Sequence, residues 1–182
     1  MRNNFIIKDD VVIIYIYRRK ENKFFECIID KNDFELIDFY DVTWYPKWSY
    51  KAKRFYVGAS QYLGKAEGKP KYKMLYLHRI LLNCKKFGEW ADHIDHDPLN
   101  NRMNNLRILT SSENGRHRER KNSNNVSGHR NVANINGSYV VQMQIDGKNA
   151  KLGSFDNIEE AGDFAEEMRK KYYGEFSGED KL

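Results

Sequence analysis

Runs of β-branched and aromatic residues dominate the first third of the chain and are separated by short polar stretches. Residues 11–17 (VVIIYIY) and 24–29 (FFECII) flank the polar segment 18–23, which is typical of two neighbouring strands. Apolar patterning resumes over residues 71–82. Residues 1–77 are therefore predicted to be rich in strands.

Two features add to the prediction that residues 1–77 are rich in strands. Asn32 and Asp33 offer N-cap chemistry to a short helical turn over Phe34–Tyr40. The stretch from Tyr50 to Leu63 interleaves aromatic and basic residues. Such a stretch can mark a nucleic-acid surface, although it is more often the outer face of a sheet.

A second periodic region begins at residue 127. Apolar and polar residues alternate over 139–145, and Asp146-Gly147 is a strong hairpin-turn signal before a further strand through Phe155. Helical spacing follows, with Asp156 or Asn157 as the N-cap; its apolar positions are Ile158, Ala161, Phe164, Ala165 and Met168. Hairpin strands followed by one amphipathic helix are predicted.

Between these regions, residues 83–122 are rich in Asn, His, Asp and Arg and poor in apolar residues. So polar a segment cannot form a core of its own. It therefore needs a cross-link, a metal ion or a packed neighbour to fold.

Composition narrows the class of protein. The net charge of +5 suits a polyanionic partner without proving one. The two cysteines, Cys27 and Cys84, form no CxxC pair, which argues against a disulfide scaffold and a cysteine zinc site and favours a reducing compartment. The longest apolar run is about a third of a membrane span and no signal peptide precedes it. A soluble, cytoplasmic protein without a membrane partner is expected.

Candidate chemistry lies in the polar segment. Asp92-His93 precedes a turn-rich loop, Asn105 follows twelve residues after His93, and Asn114 comes nine residues later in a predicted helix. A carboxylate and an amide oxygen suit Mg²⁺ or Mn²⁺ better than zinc. An imidazole titrates near neutrality and could take a proton from an attacking water, while Asn105 could fix its tautomer.

Taken together, these residues resemble the HNH nucleases of the homing-endonuclease type. The resemblance covers about residues 75–120 and is carried by HRIL at 78–81, ADHID at 91–95, NNRMNNLR at 100–107 and EN at 113–114. It implies that His93 is the general base, that Asn105 orients it, and that Asp92 and Asn114 hold the divalent metal. Asn114 stands where the founding motif has histidine, as in the HNN branch.

The C-terminal region resembles the APETALA2/ethylene-response DNA-binding domain. That likeness is carried by SGHRNV at 127–132, the strand 139–144, LGSFD at 152–156 and KYYGEF at 171–176. It implies a three-stranded sheet, backed by a helix, that lies in the major groove of DNA. The positions matching its reading face are Arg130, Asn134, Gln142, Gln144 and Lys151. Gln and Asn can pair with adenine, but the base preference of the family does not carry over.

The predicted fold class is α+β. A nuclease domain would span residues 1–122, with the strand-rich part at 1–77 and the ββα-metal motif at about 78–120; residues 123–126 would be a linker and residues 127–182 the DNA-binding domain. Further phosphate contacts are expected from the basic residues in and after the motif, namely Arg107, Arg116, Arg118, Arg120 and Lys121.

The sequence thus predicts a site-specific, metal-dependent endonuclease acting on duplex DNA. Two alternatives stay open. One is a DNA-binding regulator that keeps the HNH segment only as a fold, and the other is a restriction or repair nuclease with the same chemistry. The sequence leaves open the recognition site, the number of strands cut and the oligomeric state.

Overall fold

The computed structural model describes residues 1–50, 52–118, 121 and 124–178. It divides into two compact units, residues 1–110 and residues 111–182. The strands are β1 (Phe5–Lys8), β2 (Val11–Arg18), β3 (Lys23–Asp30), β4 (Tyr45–Ser49), β5 (Arg54–Ala66), β6 (Lys69–Tyr76), β7 (Trp90–His93), β8 (Leu106–Leu109), β9 (Val132–Ile135), β10 (Ser138–Ile145) and β11 (Lys148–Phe155). The α-helices are α1 (Phe34–Asp38), α2 (Leu77–Leu81), α3 (Ser111–Arg116) and α4 (Ile158–Tyr173).

In the described part of the first unit, three antiparallel sheets have the strand orders β1-β2-β3, β4-β5-β6 and β7-β8. The alternation in β2 turns Val12, Ile14 and Ile16 to the inside, where all three are fully buried. These side chains share one core with residues from the other two sheets, including Val57 and Leu106. The predicted strand-rich character of this region is confirmed.

The short helices follow the sequence only in part. A helix does occupy Phe34–Asp38, as predicted, but Asp33 makes no side-chain cap hydrogen bond. Residues Lys31–Asp33 instead form a 3-10 turn that leads directly into the helix. The predicted side-chain cap is therefore wrong, although the helical turn is present.

The second unit pairs a three-stranded sheet, ordered β11-β10-β9, with helix α4. Asn157 caps this helix by accepting hydrogen bonds from the amides of Glu159 and Glu160. Asp146 and Gly147 both have positive φ, 48° and 77°, as a two-residue hairpin turn requires. The core is built from both layers, and its buried side chains are Val132, Val141, Met143, Ala161, Ala165, Met168 and Tyr173.

The division between the units falls at Thr110, whereas the sequence placed its domain boundary after residue 122. Helix α3 belongs to the second unit, where the carbonyl of Arg116 accepts a 2.9 Å hydrogen bond from Arg130. The assignment of residues 1–122 and 127–182 to separate nuclease and DNA-binding roles stays a prediction.

Within the described ranges, every helix is too short or too polar to cross a lipid bilayer.

Helix α2 carries a histidine into the core of the first unit. His78 is buried, and its Nδ1 has no hydrogen-bond partner among the described residues. Its ring packs 5.0 Å from that of His93 and 5.4 Å from that of Tyr56, measured between centroids. Burial lowers the pKa of His78 from 6.5 to about 3, assisted by His93 and Arg79 and opposed by Asp92.

This depressed pKa should make the first unit sensitive to acid. The unfolded chain takes up a proton at His78 first as the pH falls below 6.5, so the free energy of unfolding should decrease between pH 6.5 and about 3, by up to about 1.4 kcal/mol per pH unit. In His78→Phe that part of the pH dependence should disappear. Urea unfolding followed by tryptophan fluorescence reports the first unit alone, because Trp44, Trp48 and Trp90 all lie in it. Parallel stability curves for the two proteins would contradict the assignment.

Candidate functional site

The hairpin formed by β7 and β8 carries Asp92 and His93 at the end nearest its connecting loop. In its register Asp92 lies opposite Arg107, and His93 lies opposite Leu106. Successive strand residues face opposite sides, so the carboxylate and the imidazole point to different faces. Arg107 donates from Nε to Asp92 Oδ2 at 3.1 Å, and both side chains are largely buried. This cross-strand ion pair fixes one edge of the carboxylate.

His93 is buried, with 4% of its surface exposed. Its Nε2 lies 3.3 Å from Asn101 Oδ1, and its ring faces His78 and Tyr56. Burial lowers the pKa of His93, an effect that the Asn101 hydrogen bond and the nearby aspartates oppose. The ring is therefore neutral at neutral pH. Because an amide oxygen can only accept, the proton lies on Nε2, and Nδ1 is left as the acceptor.

Asn105 fastens the loop between the two strands. Its side-chain amide donates to Asp95 Oδ1 and to the carbonyl of Asn100, both at 2.8 Å, and its Oδ1 accepts from the amide of Asp95 at 3.0 Å. Its carbonyl accepts from the amide of Ile94 at 2.8 Å. Asn105 thus holds the backbone beside His93, whereas Asn101 accepts the hydrogen bond from the ring.

Asp95 is the carboxylate around which this loop folds. Burial acts to raise the pKa of Asp95, but the hydrogen bonds from the amide of Asp97 and from Asn100 and Asn105 outweigh it, so the pKa is lowered. Asp95 therefore stays ionised as an acceptor for loop amides. Its carboxylate oxygens are used in hydrogen bonds that hold the loop.

Asn101 is the residue that sequence reasoning missed. It is completely buried, and its amide nitrogen donates to the carbonyl of Pro98 at 2.9 Å and lies 3.5 Å from Cys27 Sγ. Asn101 is the second asparagine of the pair 100–101 in the motif, but an asparagine pair in a loop usually indicates a turn. Only its burial distinguishes it.

The same loop is attached to strand β3 through the backbone. The amide of Asn101 donates to the carbonyl of Ile28 at 2.8 Å, and the amide of Ile28 donates to the carbonyl of Leu99 at 2.9 Å. Next to this bridge, Arg102 forms ion pairs with Asp30 and Asp10 at 2.8 and 2.6 Å. The neighbour that the polar segment needs in order to fold is therefore the N-terminal sheet.

The structure brings Asp92, His93 and Asn105 together on one hairpin. Asn114 lies on α3 in the second unit and is half-buried. Its predicted role as a metal ligand stays a prediction.

The basic residues predicted to contact DNA have different surroundings. Arg107 is committed to Asp92, and the guanidinium of Arg116 lies 4.8 Å from the ring of Tyr173. Arg118 is exposed, Lys121 is half-buried, and Arg120 lies outside the described residues. Among the described members of this set, Arg118 is the most exposed.

Arg130 requires a correction. It was predicted on the exposed reading face of the C-terminal sheet, but it is buried. Its guanidinium donates to the carbonyls of Arg116 and Ser177 at 2.9 and 3.3 Å. A buried guanidinium needs such acceptors, so Arg130 holds two backbone segments together instead of facing solvent.

The remaining predicted reading-face residues are all exposed, but they do not share one face. Gln142 pairs across the sheet with Lys151, and Gln144 lies two residues further along the same strand. Asn134 pairs with Tyr139, whose side chain packs into the core. The Oδ1 of Asn134 accepts a hydrogen bond from the amide of Gly137 in the adjoining turn. Cross-strand partners share a face, so Asn134 lies opposite to Gln142 and shapes the β9–β10 turn.

Comparison with known proteins bears on the hairpin and its surroundings. The HNH endonuclease family matches residues 85–116. A protein of Acanthamoeba polyphaga mimivirus, named as an uncharacterized HNH endonuclease, is 28% identical over 128 residues, which cover 66% of this chain and 66% of that protein. No solved structure matches. Residues 85–116, where this chain is similar to HNH endonucleases, contain Asp92, His93, Asn105 and Asn114.

Proposed function

We propose that this protein is a site-specific, homing-type endonuclease that hydrolyses phosphodiester bonds in duplex DNA with one divalent metal ion. His93 is the general base, and Asp92 and Asn114 hold the metal. The observation that carries the proposal combines the position of the family match with the placement of two side chains. The segment similar to HNH endonucleases contains the hairpin on which a neutral, buried imidazole and a carboxylate are consecutive residues on opposite faces of one strand.

His93 has the properties that a general base requires. It is neutral at working pH because burial lowers its pKa, and Asn101 holds the tautomer in which Nδ1 accepts. Asn101 is itself held by Pro98 and by the backbone of Ile28, so the ring has little freedom to rotate. An oriented base of this kind contributes to the transition state without strengthening the binding of the substrate.

The ligand types proposed here, one carboxylate and one amide oxygen, suit a hard divalent cation. Among the described residues, no group of three or more His, Cys, Asp or Glu side chains is placed to hold a metal ion. Mg²⁺ does not need one, since it usually binds through one or two carboxylates and keeps several waters. Asp92 would supply the charged ligand and Asn114 an amide oxygen. When bound, such an ion supplies Lewis-acid stabilisation of the charge that develops on the phosphate and on the leaving oxygen.

The chain's own residues then account for proton movement. The proton of the attacking water passes to Nδ1 of His93 as the water oxygen forms its bond to phosphorus. The bond from phosphorus to the 3′-oxygen breaks, and the leaving oxygen takes up a proton from solvent water, which gives a 5′-phosphate and a 3′-hydroxyl. Arg107, paired with Asp92, keeps the carboxylate in place during this step.

The C-terminal unit is proposed as an APETALA2-type anchor on DNA. Its three-stranded sheet packs against α4 on one face and exposes Gln142, Gln144 and Lys151 on the other. Amide side chains can read base edges in the major groove, and a lysine can contact a phosphate. These three residues are the proposed contact set, together with Arg118 after helix α3.

Removal of the base should abolish cleavage and spare binding. In His93→Ala the rate should fall by about 10²–10⁴-fold because water activation is lost, while the Kd for duplex DNA stays within about twofold. Single-turnover cleavage and fluorescence anisotropy measure the two quantities. His96→Asn is the matched control, since asparagine tolerates the positive φ of 62° at this neighbouring loop position. Wild-type rates in His93→Ala under matched metal and salt would refute the role of the base.

Loss of the charged ligand should appear as a changed metal requirement. In Asp92→Asn the amide retains the shape and one acceptor for Arg107, but the negative charge that attracts the ion is gone. The Mg²⁺ concentration for half-maximal cleavage should rise at least about tenfold, and Mn²⁺ should rescue part of the activity. Asp97→Asn serves as the comparison within the loop. If it shifts the metal requirement while Asp92→Asn does not, the ligand has been assigned to the wrong residue.

The exposed sheet face should determine affinity and site choice. Gln142→Ala combined with Lys151→Ala should weaken binding about tenfold and reduce the salt dependence of binding by about one unit of slope for the lost lysine. Cleavage at saturating enzyme should persist but spread over more positions. Lys171→Ala, at an exposed position on α4, is the control. Unchanged affinity and an unchanged cleavage pattern in the double variant would make this face a packing element only.

A further inference from the structure

The β5–β6 hairpin extends beyond the sheet to which it belongs. Strand β4 pairs with β5 only as far as Gly58, whereas β5 and β6 remain paired from Gly58 to the tip. The ribbon from Ser60 to Ala66 is roughly 20 Å long at about 3.4 Å per residue. Its side chains are exposed on both strands except at the base. The ribbon is therefore an arm rather than part of the core.

The arm has a defined shape. Glu67 and Gly68 close it with φ values of 52° and 75°, the two positive angles of a tight turn that matches the strand twist. Tyr62 and Tyr72 lie opposite each other, with ring centroids 5.5 Å apart. These features hold the two strands in register without support from the core.

Most charged residues of the arm are lysines, and three of these lysines lie on one face. Residues 60–74 contain four lysines and one carboxylate, Glu67. Lys69, Lys71 and Lys73 alternate along β6 and so share one face, while Pro70 and Tyr72 point to the other. None of the ion pairs among the described residues involves these three lysines. One face of the arm is a row of unneutralised positive charges spaced by roughly 7 Å.

We propose that this lysine face, Lys69, Lys71 and Lys73, clamps the phosphate backbone of duplex DNA outside the candidate active site. The inference rests on the proposed function for the identity of its ligand. Duplex DNA is the occupant that the charge favours, because it carries a phosphate every 3.4 Å along each strand. A two-stranded ribbon also has the width that a major groove of about 12 Å admits.

The chemistry of the face indicates a clamp that is neutral to sequence. Lysine is a flexible point charge, whereas base edges are read by bidentate amide and guanidinium groups. Gln61, opposite Lys73, is the amide next to the lysine row, and it lies at the base of the arm. The arm should therefore strengthen binding equally on every sequence and leave the cleavage position to other residues.

A triple variant, Lys69→Gln, Lys71→Gln and Lys73→Gln, tests this role in the full chain. Binding is measured by fluorescence anisotropy on a 30-base-pair duplex, with a chelator present so that no cleavage occurs, over a series of salt concentrations. Affinity should fall at least tenfold at about 0.1 M salt, and the slope of log K against log salt should shrink by about 2 to 3, close to 0.9 for each lost contact. The control removes the same charge from exposed positions in the same unit, Lys8→Gln, Lys20→Gln and Lys31→Gln.

Three results would overturn the proposal. The first is a triple variant whose slope equals that of the control although its tryptophan fluorescence shows a folded first unit. The second is a triple variant that binds single-stranded DNA of equal length more weakly than the wild type does but binds the duplex with unchanged affinity. The third is a shifted cleavage position at saturating DNA with metal present. If the wild-type protein cuts no DNA yet the triple variant still loses slope, the proposed endonuclease function fails while the clamp stands.

Discussion

The burial of His93 is the constraint on which the rest of the candidate site depends. A buried imidazole must be neutral and must find a partner for its N–H, because an unpaired polar group in the core costs about 1–3 kcal/mol. Asn101 supplies that partner, and Pro98 and Ile28 in turn hold Asn101. The placement of one ring thus fixes the loop, and the loop requires the N-terminal sheet beneath it.

Much of the strand structure could be predicted because its causes are local. The β-branched run at residues 11–17 and the alternation at 139–145 have the period of strands, and both form strands. Asp92 and His93 could also be placed, since adjacent strand residues necessarily face opposite sides. The family resemblance supplied the candidate roles, and the HNH match at residues 85–116 covers the same segment.

What could not be predicted depends on residues far apart in the chain. The amide of Asn101 reaches Cys27 across 74 positions, and Arg102 reaches Asp10 across 92, and no local pattern signals either contact. Arg130 illustrates a second reason. Arginine is almost always exposed unless its guanidinium finds acceptors, and the carbonyls of Arg116 and Ser177 that accept from it become neighbours only after folding.

The bridge between Ile28 and the loop at residues 99–101 has a consequence for biosynthesis. Because a chain emerges from the ribosome N-terminus first, strand β3 is available some 70 residues before the loop that docks on it. The strand with which the loop pairs has therefore already been synthesised when the loop emerges. For the same reason residues 85–116 should not work alone in another protein, because without β3 the histidine would lack the surface that orients it.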